Sequence, residues 1–229
     1  STFYERTIDL INAQPTFINE IVLIKGARKF EFEKITNYLS AKSHETIMEV
    51  NLSAIVDNFK HLRSFLKQET KAVAMIKADA YGCGALAVGQ TLSHHNCDYF
   101  GVAVADEGVE LRKAGIQTPV IIMNPELNTF DLLIKYRLEP EIYNFKILKS
   151  FAEYTEREGI RNFPIHLKID TGMHRLGFEP KDVDTLIEFL KNNKSLKVES
   201  AFSHLVASED PAEDEFTLKQ IKTFQEVTE

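Results

Sequence analysis

The sequence predicts an α/β chain of the parallel (β/α) barrel type, truncated after about six βα units and preceded by a small separate element. Three observations predict it. From residue 44 onward, short β-rich runs alternate with amphipathic helical windows, the pattern of βα units around a parallel sheet. The first of these strands leads into Lys77-Ala78-Asp79-Ala80-Tyr81-Gly82-Cys83-Gly84, which lacks the glycine spacing of the phosphate loop expected in a doubly wound open sheet. A closed barrel takes eight units and roughly 250 residues, so six should need about 190. Residues 44 to 229 supply that length.

The first helix is the clearest element. Leu52, Ile55, Val56, Phe59, Leu62, Phe65 and Leu66 recur at three- and four-residue steps after a cap at Asn51 or Ser53, giving one apolar stripe that should pack on a sheet. Strands are expected at Ala72–Ile76, Tyr99–Val104, Pro119–Met123, Glu139–Tyr143, Pro164–Ile169 and Val198–Phe202. All but the fourth are mostly apolar, as buried parallel strands are. Asp106 and Glu107 mark a helical first turn, Gly115 and Gly159 lie past helix ends, and Pro180 sits near a helix start.

Residues 1 to 43 have another texture: a polar opening, a strand-like Ile21-Val22-Leu23-Ile24, a turn at Lys25-Gly26-Ala27-Arg28, a helical window Glu33–Leu39, and a linker around Ala41-Lys42-Ser43. The division is therefore 1–43 and 44–229.

Composition narrows the function classes. The chain is 44% hydrophobic and 27% charged, which is globular, and its net charge of -7 is scattered, so no basic stripe is available to neutralise a nucleic-acid backbone. Cys83 and Cys97 lie in no metal-ligand spacing and form no disulfide framework, which fits a reducing cytoplasm. Apolar runs such as Val120–Met123 are far too short to span a bilayer, and the polar start is no signal peptide. The expectation is a soluble, cytoplasmic protein with neither membrane nor nucleic-acid partners.

Lys77 falls at the carboxyl end of an apolar strand, the end where barrel enzymes keep their active sites. A poorly solvated amine is more readily neutral, and a neutral amine is what attacks an aldehyde. A strand-end lysine reaching solvent is the plainer alternative. The string Ala74-Met75-Ile76-Lys77-Ala78-Asp79-Ala80-Tyr81-Gly82-Cys83-Gly84 resembles the cofactor-lysine motif of alanine racemases. That resemblance implies that Lys77 binds pyridoxal 5'-phosphate covalently and serves as one of two catalytic bases, and that Tyr81 hydrogen-bonds the cofactor phosphate. The family usually has His where this chain has Cys83, a position without a catalytic role.

In His166-Leu167-Lys168-Ile169-Asp170-Thr171-Gly172-Met173-His174-Arg175-Leu176-Gly177-Phe178, alternation puts His166, Lys168 and Asp170 on one face of a strand. Buried charges are costly unless paired, so this face lines a site or the strand is less buried than supposed. The string resembles the family's second signature. It implies a carbamylated Lys168, whose anion would accept a bidentate bond from the Arg175 guanidinium, and an Arg175 that faces the cofactor's phenolic oxygen and helps bind substrate. A surface pair of Asp170 with Arg175 is the plainer alternative. Ser203-His204-Leu205-Val206-Ala207-Ser208-Glu209-Asp210 resembles a third family segment, which implies that His204 packs near the cofactor ring.

The resemblance covers about residues 44 to 229. It implies interconversion of L- and D-alanine, the supply of D-alanine for peptidoglycan, and a homodimer with shared sites. The second base in the family is a tyrosine of a C-terminal β-domain, so residues 1 to 229 alone are expected to be inactive or nearly so. A non-catalytic barrel that binds pyridoxal phosphate and a purely structural junction are the competing readings. Residues 17 to 39, through Ile21-Val22-Leu23-Ile24-Lys25-Gly26-Ala27-Arg28, also resemble the end of the ligase that adds D-alanyl-D-alanine to a UDP-N-acetylmuramoyl-tripeptide. The chain thus reads as the junction of a ligase–racemase fusion, with an ordinary N-terminal extension as the alternative. It carries no Walker-type loop.

Overall fold

A computed structural model describes residues 3–17, 20–25, 30–40 and 48–229. Six strands, β1 (Val73–Met75), β2 (Tyr99–Val102), β3 (Val120–Ile122), β4 (Glu139–Ile142), β5 (Phe163–Lys168) and β6 (Leu196–Phe202), lie side by side in their order along the chain. Every neighbouring pair is parallel. A doubly wound sheet reverses its strand order at a switch point, whereas this sheet winds in one direction throughout, as a barrel wall does. Right-handed crossovers then place the connecting helices on one face and gather the carboxyl ends of the strands along one edge.

The chain divides into two compact units, Ser1–Glu49 and Val50–Glu229. In the first, α1 (Thr7–Asn12) and α2 (Glu33–Leu39) are the helices described, and Ile35 is the buried residue of α2. Thr7 Oγ1 donates to the Phe30 carbonyl. The expected helix over 33–39 is present, but Ile21–Ile24 forms no strand. An isolated strand leaves its backbone groups without partners, and the described residues of this unit offer no strand to pair with; Ile21 is 102% exposed. Gly26, Ala27 and Arg28 of the expected turn, and the Ala41–Ser43 linker, lie outside the described residues.

In the second unit α3 (Leu52–Ser64) starts at Asn51, whose side chain accepts from the Ala54 N–H at 3.0 Å. The short α4 (Lys77–Tyr81) follows β1, and α5 (Ala85–His94), α6 (Ala105–Lys113), α7 (Phe130–Tyr136), α8 (Phe145–Arg157), α9 (Val183–Asn192) and α10 (Asp214–Thr228) complete the alternation. Gly115 and Gly159 follow helix ends at positive φ, and Pro180 opens a 3₁₀ turn ahead of α9, as the sequence suggests. The expected strands are all present. β6 begins two residues before its expected start because Leu196 and Lys197 pair with Phe163 and Pro164 of β5.

Phe100, Val102, Val120, Ile122, Ile142 and Ile165 from the strands, and Leu133, Leu148 and Phe151 from the helices, are completely buried in one core. Helix α8 turns Ile147, Leu148, Phe151, Ala152 and Thr155 inward, the spacing of one helical face. Phe151 meets Phe130 edge to face at 4.9 Å and Phe163 at 5.5 Å, and Thr155 Oγ1 donates to Ser195 Oγ at 2.8 Å. Phe151 thus joins α7, α8 and the start of β5. Replacing Phe151 by Ala should cost about 3–5 kcal/mol of stability through lost burial and a cavity. Urea unfolding is the measurement, and a loss below about 1 kcal/mol would show that this cluster does not anchor the helices.

Candidate active site

The carboxyl end of β1 carries Lys77. The Ile76 N–H extends the sheet by donating to the Gly101 carbonyl at 2.9 Å, and the chain then turns sharply. Ala78, Asp79, Ala80 and Tyr81 all have φ between 50° and 56°, a left-handed turn. L-residues pay roughly 1–2 kcal/mol each for this conformation, so it persists only where neighbours hold it. Glu107, near the start of α6, accepts the Ala78 N–H on Oε1 and the Ala103 N–H on Oε2, both at 2.6 Å, and so ties the ends of β1 and β2 together. The Asp79 carboxylate accepts the Ala85 N–H at 2.6 Å, and Ala80 is buried. The turn leaves Lys77 half-buried and Tyr81 64% exposed at its end.

The loop after β5 is built in a similar manner. Asp170 Oδ1 accepts from the N–H groups of Gly172 (2.9 Å) and His174 (3.1 Å). Burial works to raise the Asp170 carboxyl, but these backbone donors outweigh it and hold the group below the ordinary carboxylate range. Asp170 is therefore committed to its own loop and to His174 at 3.5 Å, and the surface pair with Arg175 is not formed. The chain doubles back, with the Asp170 N–H donating to the Phe178 carbonyl and the Phe178 N–H to the Lys168 carbonyl, each at 2.9 Å. Gly177, at φ +135°, makes this possible, since a Cβ there would lie 2.6 Å from the Asp170 nitrogen. Arg175 is exposed on the loop so formed.

His204 follows β6. Its carbonyl accepts from Gln220 Nε2 at 3.1 Å, while Gln220 Oε1 accepts the Val206 N–H. Thr171 and Ser203 share a hydrogen bond at 2.7 Å, which joins the loops after β5 and β6. Gln220, completely buried on α10, thereby sets the backbone that presents His204.

The face of the sheet away from the helices is polar. Glu139, His166 and Ser200 form a chain across β4, β5 and β6, with His166 Nε2 to Glu139 at 2.8 Å and Nδ1 to Ser200 Oγ at 2.7 Å. Nearer the carboxyl edge lie Glu141 and Lys168. The Lys168 ammonium sits 4.6 Å from the Phe202 ring centroid. Burial lowers its pKa, Glu141 and Asp170 oppose that, and the Arg175 charge adds to the lowering. Burial pushes the Glu141 carboxyl up to about 7, against the pull of Lys168, Arg175 and Lys77. Burial also lowers His204, and Lys168, Arg175 and Lys77 lower it further. Lys77, Lys168 and Arg175, three of the five sequence-identified residues, thus act on the same two groups, Glu141 and His204.

Three residues escape the sequence reading. Glu107 reads only as a first-turn acid, and Gln220 is not singled out by the sequence. Glu141 leaves a faint signal, because Glu139–Tyr143 is the one expected strand that is not mostly apolar. Among the described residues no group of His, Cys, Asp and Glu could hold a metal ion, and no helix is long and apolar enough to cross a membrane.

Parallel strands wound in sequence order, with a lysine at the end of the first and two further cations acting at the same edge, define a partial (β/α)-barrel protein. The chain belongs to the alanine racemase N-terminal domain family, whose profile matches residues 50–229. It is 33% identical over 184 residues to the alanine racemase of Thermodesulfovibrio yellowstonii, covering 79% of this chain and 49% of that protein. Alanine racemase from Clostridium difficile 630 superposes with a TM-score of 0.73 at 30% identity, over 78% of this chain and 47% of that one. Its complex with cycloserine gives a TM-score of 0.71 at 31% identity, over 78% of this chain and 48% of that one. The chain spans about half the length of the relatives it matches.

Two expectations follow. Gly177→Ala should lose about 1–3 kcal/mol from backbone strain, read as a lower Tm, whereas an unchanged Tm would mean the loop is not pinned by this close approach. In the protein without cofactor, the His204 imidazole should titrate below the ordinary histidine range by NMR, and Lys168→Met should move its midpoint upward. No movement would place Lys168 outside its electrostatic reach.

Proposed function

We propose that the whole protein interconverts L- and D-alanine with pyridoxal 5'-phosphate held on Lys77. The observation that carries this reading is the Lys77 amine at the barrel's carboxyl edge, acting on the same buried carboxylate as Lys168 and Arg175. The site suits the cofactor chemically: the charges of three cationic side chains act on one buried carboxylate, which favours a phosphorylated, anionic guest, and a half-buried amine is present to meet its aldehyde.

When bound, the cofactor supplies an electron sink for the carbanion left by loss of the α-proton. Lys77 is the anchoring amine and, once released, takes or returns that proton on the D side. Exposed Tyr81 has a phenol able to donate to the phosphate. Arg175 offers a planar guanidinium to the phenolic oxygen and to the substrate carboxylate. His204, whose pKa burial and the Lys168, Arg175 and Lys77 charges lower, favours the neutral imidazole and can lie against the ring. The family resemblance assigns the L side to a tyrosine of the family's C-terminal β-domain, and with it a homodimer in which sites are shared. The same reading makes the protein a cytoplasmic source of D-alanine for peptidoglycan. The string at residues 17–39 supports fusion to the muramoyl ligase, which the mass of the natural polypeptide will test.

Borohydride reduction of the protein after addition of pyridoxal phosphate, followed by peptide mapping, should place the label on Lys77. Lys77→Ala should lose the label and lower racemisation by about 10²–10⁴-fold or more. Label on another lysine, or a labelled whole protein that does not racemise alanine, would overturn the proposal. The second of these results would favour a non-catalytic cofactor barrel.

A further inference from the structure

Gln220 is completely buried on α10, and the steps above make no use of it. A buried amide is retained where its polar groups are bonded, because a donor or acceptor left unmet in the interior is expensive. Here both N–H groups and the carbonyl are engaged. Nε2 donates to the His204 carbonyl at 3.1 Å and to Thr171 Oγ1 at 3.3 Å, and Oε1 accepts the Val206 N–H at 3.1 Å. A carboxylate of the same length could not donate, and a leucine of similar size would strip all three bonds.

These partners belong to two loops. Thr171 opens the loop after β5 that carries Arg175, whereas His204 and Val206 lie in the loop after β6. Thr171 and Ser203 share a hydrogen bond at 2.7 Å, which closes the set. Phe216, one turn earlier on the same face of α10, presses on the first loop, where a Cβ added to Gly172 would lie 3.2 Å from its ring. Asp170 holds that loop from within through the N–H groups of Gly172 and His174, and α10 holds it from outside. Among the described residues no hydrogen bond holds the His204 ring, so its backbone decides where it stands. We infer that Gln220 is a positioning residue for the reaction: one amide sets the His204 backbone and the start of the Arg175 loop together, fixing their spacing at the carboxyl edge. The inference rests on the racemase reading for what His204 and Arg175 then contact. Because one side chain serves both loops, losing it displaces both, whereas a change at Thr171 releases only the first.

The test uses the full-length protein loaded with pyridoxal phosphate. Gln220→Leu keeps the bulk and removes the three bonds; it should raise KM for alanine about tenfold, through Arg175, and lower kcat by about three- to tenfold, through His204. Thr171→Val leaves His204 and Val206 bonded and should raise KM with a smaller change in kcat. The double variant should lose little more than Gln220→Leu alone, because both changes break the same link. In the cofactor-free protein the His204 imidazole, assigned by its loss in His204→Asn, is lowered by burial and by Lys168, Arg175 and Lys77, with Glu209 opposing. Its NMR titration midpoint should rise in Gln220→Leu, as the ring leaves these surroundings, and stay in place in Thr171→Val. A Gln220→Leu protein with a lower Tm but wild-type KM, kcat and His204 midpoint would show an amide that only anchors α10, and would overturn the inference, as would additive losses in the double variant. Where Gln220→Leu does not fold, Thr171→Val decides, and a wild-type KM there overturns it. A wild-type protein that does not racemise alanine removes the racemase reading, and the His204 midpoint in Gln220→Leu then decides whether the amide positions that loop.

Discussion

All the connecting helices cover one face of a sheet wound in a single direction, and the rest of the structure depends on this. Alternation then delivers every second strand residue to the other face, where no helix is available to bury it. On the helix side the chain needs only shape and hydrophobicity, and Phe100, Ile122, Ile142, Ile165 and Phe151 supply them. On the other side it must satisfy polar groups with one another, layer by layer. The Glu139–His166–Ser200 chain does so with hydrogen bonds at both ring nitrogens. In the next layer Glu141 Oε2 has no hydrogen-bond partner, and the charge of Lys168 acts on its carboxyl.

This division explains why the chemistry collects where it does. Parallel strands in sequence order bring their carboxyl ends to one edge, and the loops that leave that edge carry Lys77, Arg175 and His204. Each loop is held by a residue from a different element: Glu107 for the turn after Lys77, the returning Phe178 backbone for the Arg175 loop, and Gln220 for the backbone of His204. The most strained element, four left-handed residues in succession, directly follows Lys77. Strain of this kind survives because Glu107 accepts the Ala78 N–H inside the turn and Asp79 accepts the Ala85 N–H at the start of α5.

The strands and helices of residues 50–229 were legible because each has its own periodicity, and their ends are marked by Asn51, Gly115, Gly159 and Pro180. The strand expected at Ile21–Ile24 was not formed, since apolar alternation describes a strand's faces but not whether a partner exists for its backbone. Lys77, Lys168, Arg175 and His204 were found through local strings. Glu107, Glu141 and Gln220 were not, because each acts on a residue far from it in the chain, and a lone acid or amide carries no local signature of its partner.

The sequence by itself determined the order of elements, the apolar stripes that form the core, and the residue types able to do amine and guanidinium chemistry. Those are consequences of spacing along the backbone, which a chain carries whether folded or not. The tertiary structure alone decided that the strands wind without reversal, that Asp170 closes its own loop rather than meeting Arg175, and that Glu141 stands opposite His166. These depend on registers and close approaches between distant segments, and such distances exist only after the sheet has formed.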